Sequence, residues 1–190
     1  MSRLNGGPEG ALGLDYGRVE LVNPDPRWAQ LAKALVEEIE QKLGADVAEV
    51  EHIGSTAIPG LAAKPIIDIA VGVFSHGAVE QIKVALVNAG YLFRGDAGDT
   101  GGLVFVRERL PLQRIAHIHV VAYGERQWND YLAFRDMLRG NPEARKRYET
   151  QKRTLAREFA NDRRAYTAAK SGVIEALLRA GRKNRNRSAR

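Results

Sequence analysis

With 190 residues, 44% of them hydrophobic and 27% charged, the chain has the make-up of one folded domain, which excludes wholesale disorder. It contains no cysteine, so a disulfide framework, a thiolate zinc site and a thiol nucleophile are excluded, and any metal has to be held by His, Asp or Glu. The net charge of +6 is unevenly spread: residues 1–134 carry 12 basic and 17 acidic groups, and residues 135–190 carry 17 and 6.

Residues 1–17 are aperiodic and rich in Gly, which reads as a flexible lead-in, and residues 18–22 read as a short strand. Asp25 and Pro26 open a helix, because an aspartate accepts from unpaired first-turn N–H groups and proline lacks only a donor the first turn does not need. Trp28, Leu31, Leu35, Ile39 and Leu43 then recur every three or four residues on one face, and Gly44 ends the run. Residues 47–53 read as a strand, followed by Gly54-Ser55 and a turn-rich stretch to Ala63. Residues 65–73, with IIDIAV at their centre, form an apolar run bounded by Pro and Gly, as a buried strand does. Residues 77–89 read as a second amphipathic helix, 91–94 and 103–109 as a hairpin around a Gly-rich loop, and 113–123 (QRIAHIHVVAY) as another strong strand. From residue 126 onward every segment is helical: 126–138, a helix capped by Asn141-Pro142 running to about 159, and 163–180, stopped by Gly181. Helices mixed with strands in front and helices alone behind give an α/β (α+β) fold whose C-terminal helices line one side of a cleft.

The last ten residues, GRKNRNRSAR, hold five cations and no acid, and residues 182–190 read as a solvated, disordered tail. Without it the chain is nearly neutral, so the favoured partner is a phosphate-bearing small molecule rather than nucleic acid. No apolar run approaches the roughly 20 residues that cross a bilayer, and the N-terminus lacks the apolar core of a signal peptide. A cytoplasmic protein with no membrane partner is expected.

Four clusters could carry chemistry. Gly54-Ser55-Thr56 at the end of a strand offers bare backbone and hydroxyls where α/β proteins hold phosphate. Asp68 stands among Ile66, Ile67, Ile69 and Val71; an unpaired carboxylate there costs several kcal/mol, so it needs a metal or strong donors. His117 and His119 alternate along one strand, about 6.6 Å apart on one face, and can converge on one ion or phosphate. His52 joins them if its strand lies alongside, while His76 sits in a polar turn. Finally, Arg135 follows Phe134, and Tyr148/Lys152 and Tyr166/Lys170 repeat an aromatic–lysine pair on one helix face.

The run EHIGSTAIPGLAAKPIIDIAVGV (residues 51–73), HIHV (117–120), W..YLAFRDMLR (128–139) and the two Tyr-Lys pairs resemble the GrpB family across residues 18–181. The resemblance implies a polymerase-β-like nucleotidyltransferase fold, a mixed sheet with helices on one side and a helical appendage. In that superfamily a Gly-Ser turn precedes a strand bearing Asp-x-Asp, and a third carboxylate lies on a later strand. Here Gly54-Ser55 precedes Asp68, but Ala70 stands in the second carboxylate's place, and His117 and His119 occupy the neighbourhood of the third. An altered site is expected: Asp68, His117 and His119, with His52, hold one divalent ion, Zn²⁺ or Mn²⁺ in preference to Mg²⁺. Asp68, His117 and His119 also carry any catalysis. Gly54, Ser55, Thr56, Lys64, Arg135, Lys152 and Lys170 hold the phosphate of a nucleotide or similar ligand. The implied activity is nucleotidyl or phosphoryl transfer; the alternative is an inactive binding or accessory module on the same fold.

Overall fold

The computed structural model describes residues 11–74, 79–96 and 102–188. His76, Gly98, Gly101, the first ten residues and the last two lie outside them. Helix α1, Arg27–Leu43, opens one residue later than expected, with Pro26 at the cap position instead of in the first turn, and the Asp25 carboxylate accepts from the Arg27 backbone N–H at 2.9 Å. Its buried face is Trp28, Ala32, Leu35, Ile39 and Leu43, with Leu31 only half-buried.

Strands β2 (Val47–Ile53), β3 (Ile67–Val73), β4 (Leu92–Asp96), β5 (Leu103–Leu110) and β6 (Gln113–Ala122) form one sheet in the order β2-β3-β6-β5-β4. Only β3 and β6 run parallel; every other pair is antiparallel. Parallel neighbours need a long connection, and helix α2 (Val79–Asn88) with the β4–β5 hairpin supplies it.

Two expectations near the N-terminus are corrected. The lead-in is not flexible over its described part: Leu14–Asp15 forms a short strand, β1, on the start of β6, and Ala11 and Leu14 are buried. Trp28 Nε1 donates to the Ala11 carbonyl at 2.9 Å and anchors the segment. Residues 18–22 make no strand, only a single bridge between Val22 and Ala63.

Alternation sorts the central strands into two faces. Ile67, Ile69, Val71 and Val73 of β3 and Ala116, Ile118 and Val120 of β6 pack beneath α1 and α2 in the main core. The opposite face packs Ala70 and Val121 against Trp128 of helix α3 (Arg126–Gly140). Helices α4 (Pro142–Glu158) and α5 (Arg163–Ser188) stack on α3 through Phe134, Leu138, Tyr148 and Leu178. Ile58 and Leu61, from the loop after β2, sit in that same cluster. The loop is thereby clamped between sheet and C-terminal helices, so the helices cannot be remote from the Gly-Ser turn.

Helix α5 does not stop at Gly181 but continues to Ser188, so residues 182–188 are helical where a disordered tail is expected. Bare Gly181 lets α5 pass Met137 Sδ, 3.3 Å from where a Cβ would stand, and Arg182 pairs with Asp130 of α3. Lysine and arginine are good helix formers, so the segment adds little cost to extending the turn.

Leu112, in the β5–β6 turn, holds φ at +66° and is two-thirds exposed. A left-handed leucine is strained by roughly 1 kcal/mol and buries nothing here. Leu112→Asn is expected to raise stability by about 0.5–1 kcal/mol in urea denaturation, asparagine tolerating that conformation; a loss of stability contradicts this.

Candidate functional site

Strand β2 ends at Ile53, Gly54 follows with φ +71° and ψ −168°, and Ser55–Ala57 make one 3-10 turn. A Cβ on Gly54 would stand 2.9 Å from Asp68 Cβ and 3.0 Å from its Cγ. Both the positive φ and the missing side chain are needed for this turn to lie against the Asp68 carboxylate.

Asp68 faces His117 in the parallel register, and Ala70 faces His119. Asp68 Oδ1 lies 3.0 Å from His117 Nδ1 and 3.7 Å from His119 Nε2, and the two rings are 6.3 Å apart. One ligand atom from each of Asp68, His117 and His119 lies within 4.8 Å of the others. The Asp68 side chain stays 26% exposed and that of His119 21%, so an ion can reach them.

Burial works against the Asp68 anion, but the hydrogen bond from His117 and the nearby His119 ring outweigh it and hold the carboxyl well below the usual range. Burial pushes His117 down to about 4, so its ring is neutral at pH 7. With Nδ1 donating to Asp68, the lone pair of His117 falls on Nε2. That atom and Nδ1 of His119 are buried without a hydrogen-bond partner among the described residues. The Asp68 carboxylate with the ring nitrogens turned toward it, Nδ1 of His117 and Nε2 of His119, fits a transition-type divalent ion better than Mg²⁺, which prefers an all-oxygen shell.

His52 is not part of this group, which corrects its expected place as a metal ligand. Its register partner is Ile69, whose side chain belongs to the core beneath α1, so His52 stands on the other face of the sheet. His52 Nε2 lies 3.0 Å from Thr56 Oγ1, and that hydroxyl donates to the Ile66 carbonyl at 3.4 Å. Thr56 is therefore committed to tying the turn to the sheet rather than to phosphate. Burial pushes His52 down to about 4 as well. Unfolded imidazoles take up protons near pH 6.5, whereas these two do so only near 4. Stability present above that window is lost as pH falls through it. Metal-free protein is expected to lose on the order of 3 kcal/mol between about pH 7 and about pH 4.5 in urea denaturation; a flat profile contradicts this.

Arg135 is also corrected. Its guanidinium donates to Glu51 at 2.5 Å, to Asp136 at 2.7 Å and to the His52 carbonyl at 3.1 Å. Two carboxylates neutralise it, so it pins α3 to β2 rather than receiving a ligand. Arg135→Met leaves the half-buried Glu51 carboxylate and the His52 carbonyl without their donor and is expected to destabilise by about 2–4 kcal/mol on thermal or urea unfolding. A change below about 0.5 kcal/mol contradicts that role.

The lysines behave differently. Lys152 Nζ, 1% exposed, donates to Ser55 Oγ at 2.9 Å and to the Ala62 carbonyl at 2.7 Å, above the Tyr148 ring at 5.1 Å. Burial, then repulsion from Lys170, pushes it well below the usual lysine range. Lys64 Nζ sits over the Tyr166 ring at 5.2 Å, and burial with Lys170 beside it pushes it down to about 7. Among the described residues none of Lys64, Lys152 and Lys170 takes part in an ion pair. The site thus joins Gly54, Ser55, Asp68, His117, His119, Lys64, Lys152 and Lys170, and leaves out His52, Thr56 and Arg135. A cavity of about 370 Å³ elsewhere, lined by Leu14, Glu20, Asp25 and Trp28 among others, has two carboxylates and no cation in its wall. It does not suit an anionic ligand.

Sequence reasoning passed over Tyr131, whose ring lies 5.5 Å from that of His119, and Arg114 and Arg163. Tyr131 shares its segment with Trp128, a usable signal; nothing in the sequence separates the two arginines from surface cations.

The family model described as GrpB protein matches residues 18–180. The glutamate-rich protein GrpB of Alkalihalophilus pseudofirmus is 38% identical over 175 residues, covering 88% of this chain and 98% of that protein. A dephospho-CoA kinase of Mycolicibacterium paratuberculosis is 31% identical over 175 residues, covering 80% of this chain and 43% of that longer protein. The crystal structure of the conserved protein GrpB from Enterococcus faecalis aligns with a TM-score of 0.73 at 30% identity, covering 85% of this chain and 98% of that one. The Cid1 poly(U) polymerase aligns with a TM-score of 0.51 at 11% identity over 72% of this chain and 43% of that one, a likeness of fold alone. The fold is nucleotidyltransferase-like, and the chain belongs to the GrpB family.

Proposed function

We propose that the chain binds a nucleotide or a similar phosphorylated small molecule together with one divalent ion, and transfers a phosphoryl or nucleotidyl group from it in the cytoplasm. The observation that carries this is the meeting of Asp68, His117 and His119 with the buried Lys152, which has no ion-pair partner among the described residues, beside the Gly54-Ser55 turn. Asp68, His117 and His119 would hold the ion, which supplies charge neutralisation at a phosphoryl oxygen. Ser55 and Lys152 hold a phosphate through charge-assisted hydrogen bonds, and Lys64 and Lys170 offset its remaining charge. Tyr131 covers His119 and limits water on that side.

The fold likeness to Cid1, a poly(U) polymerase with bound Mg and 3′-dATP by its description, supports the nucleotide class. So does the match to part of a dephospho-CoA kinase. A binding module without turnover is the second possibility, favoured by one observation: Ala70, opposite His119, leaves the strand with a single carboxylate.

Calorimetric titration with nucleoside triphosphate, with and without Mn²⁺ or Zn²⁺, tests the binding. Binding that requires the ion is expected, weakened about 10- to 100-fold by Lys152→Met while the ion alone still binds. No binding under any condition overturns the proposal. Release of phosphate or pyrophosphate in the same mixture separates the enzyme from the binding module.

A further inference from the structure

Arg114, near the start of β6, has no exposed surface. Its Nη2 donates to the Asp15 carbonyl at 2.9 Å, and its guanidinium lies 4.7 Å from the centre of the Tyr16 ring. Nε and Nη1 are buried with no hydrogen-bond partner among the described residues, and so is Nε of Arg163 in the first turn of α5. Neither arginine belongs to any ion pair among the described residues, and neither does Lys64. Buried guanidinium without a carboxylate is costly, and the partly buried Arg163 and Lys64 nearby add to that cost. Burial and then Arg163 push Arg114 down to about 10, while Lys64 is depressed in turn by Arg163 and Arg114.

We propose that Arg114, Arg163 and Lys64 form a second anion subsite, which receives the far phosphoryl group of a di- or triphosphate ligand held at its other end by Ser55 and Lys152. This rests on the function proposed above and narrows its substrate class to polyphosphates. Three cations match the charge of a terminal phosphoryl group better than that of a single carboxylate, and guanidinium donors suit its oxygens. Lys64 links the two subsites: Lys152 donates to the carbonyl of Ala62, two residues before it, its own Nζ lies over the ring of Tyr166 one turn on from Arg163, and the Pro65 carbonyl after it accepts from Gly13, next to the Leu14 that pairs with Arg114. A monophosphate reaches only one subsite; a polyphosphate reaches both and gains by linkage.

The test is titration of the full chain with inorganic orthophosphate and tripolyphosphate at fixed ionic strength, with Mn²⁺ present. Wild type is expected to bind tripolyphosphate more tightly than orthophosphate by at least about tenfold. Arg163→Gln, partly exposed and able to fold, should remove most of that preference while leaving orthophosphate binding in place. Arg114→Gln should do the same, and Arg147→Gln, the same charge loss on the exposed face of α4, should not. Tripolyphosphate preference unchanged in Arg163→Gln, or lowered equally by Arg147→Gln, overturns the second subsite alone. Wild type that binds neither anion overturns both this subsite and the proposed function.

Discussion

A chain carrying Gly54→Ala is expected to lose about 3–5 kcal/mol of folding stability, seen as a large drop in Tm and in urea midpoint. The turn at Gly54 combines φ +71° with ψ −168°, a region that only glycine enters freely. The added methyl would also press on Asp68 Cβ at 2.9 Å, part of a strand with neighbours on both sides, so the clash cannot be relieved by turning a flexible side chain. Whatever folded protein remains should bind the ion poorly, because the carboxylate is displaced. Asp68→Ala in the same background removes the carboxylate and should recover part of the steric loss but none of the strain. A Gly54→Ala chain as stable as wild type would mean that the turn does not rest on Asp68.

Asp68→Asn is expected to lower affinity for Zn²⁺ or Mn²⁺ by at least about 100-fold, since even partners outside the ligand shell cost 10- to 100-fold. The amide keeps the shape of the carboxylate and can still accept from His117, so the fold should survive and the loss can be read as chemistry. His119→Ala should act similarly through loss of an imidazole donor. His52→Ala should leave affinity almost unchanged, because that ring faces Thr56 across the sheet. Equal losses from His52→Ala and Asp68→Asn would contradict the ligand set of Asp68, His117 and His119.

Much of this was legible in the sequence where a local rule governs. The run VAEVEHI begins and ends as strand β2 where expected, and Asn141-Pro142 caps α4, with the Ala144 N–H donating to Asn141 at 2.9 Å. Period-two alternation places His117 and His119 on one face without any knowledge of the pairing. What alternation cannot give is the partner strand. The parallel register that sets Asp68 against His117 joins residues 49 positions apart, and it is fixed by the crossover through α2 and the hairpin. His52 went astray for the same reason: its strand does lie alongside β3, but in a register that sets it opposite Ile69 and turns its ring to the α1 face. Arg135 looked like a free cation because its neutralising partner Glu51 lies 84 residues away. The helical extension past Gly181 was hidden because glycine reads as a stop unless a neighbour such as Met137 needs the space.

The most direct test of the central claim is anomalous X-ray scattering at the manganese edge from crystals grown with Mn²⁺ and a non-hydrolysable nucleoside triphosphate. One manganese peak is expected per chain, bound by Asp68, His117 and His119, with the nucleotide's phosphates reaching Ser55 and Lys152. Two peaks at this site, or a lone peak held by other residues, would contradict it.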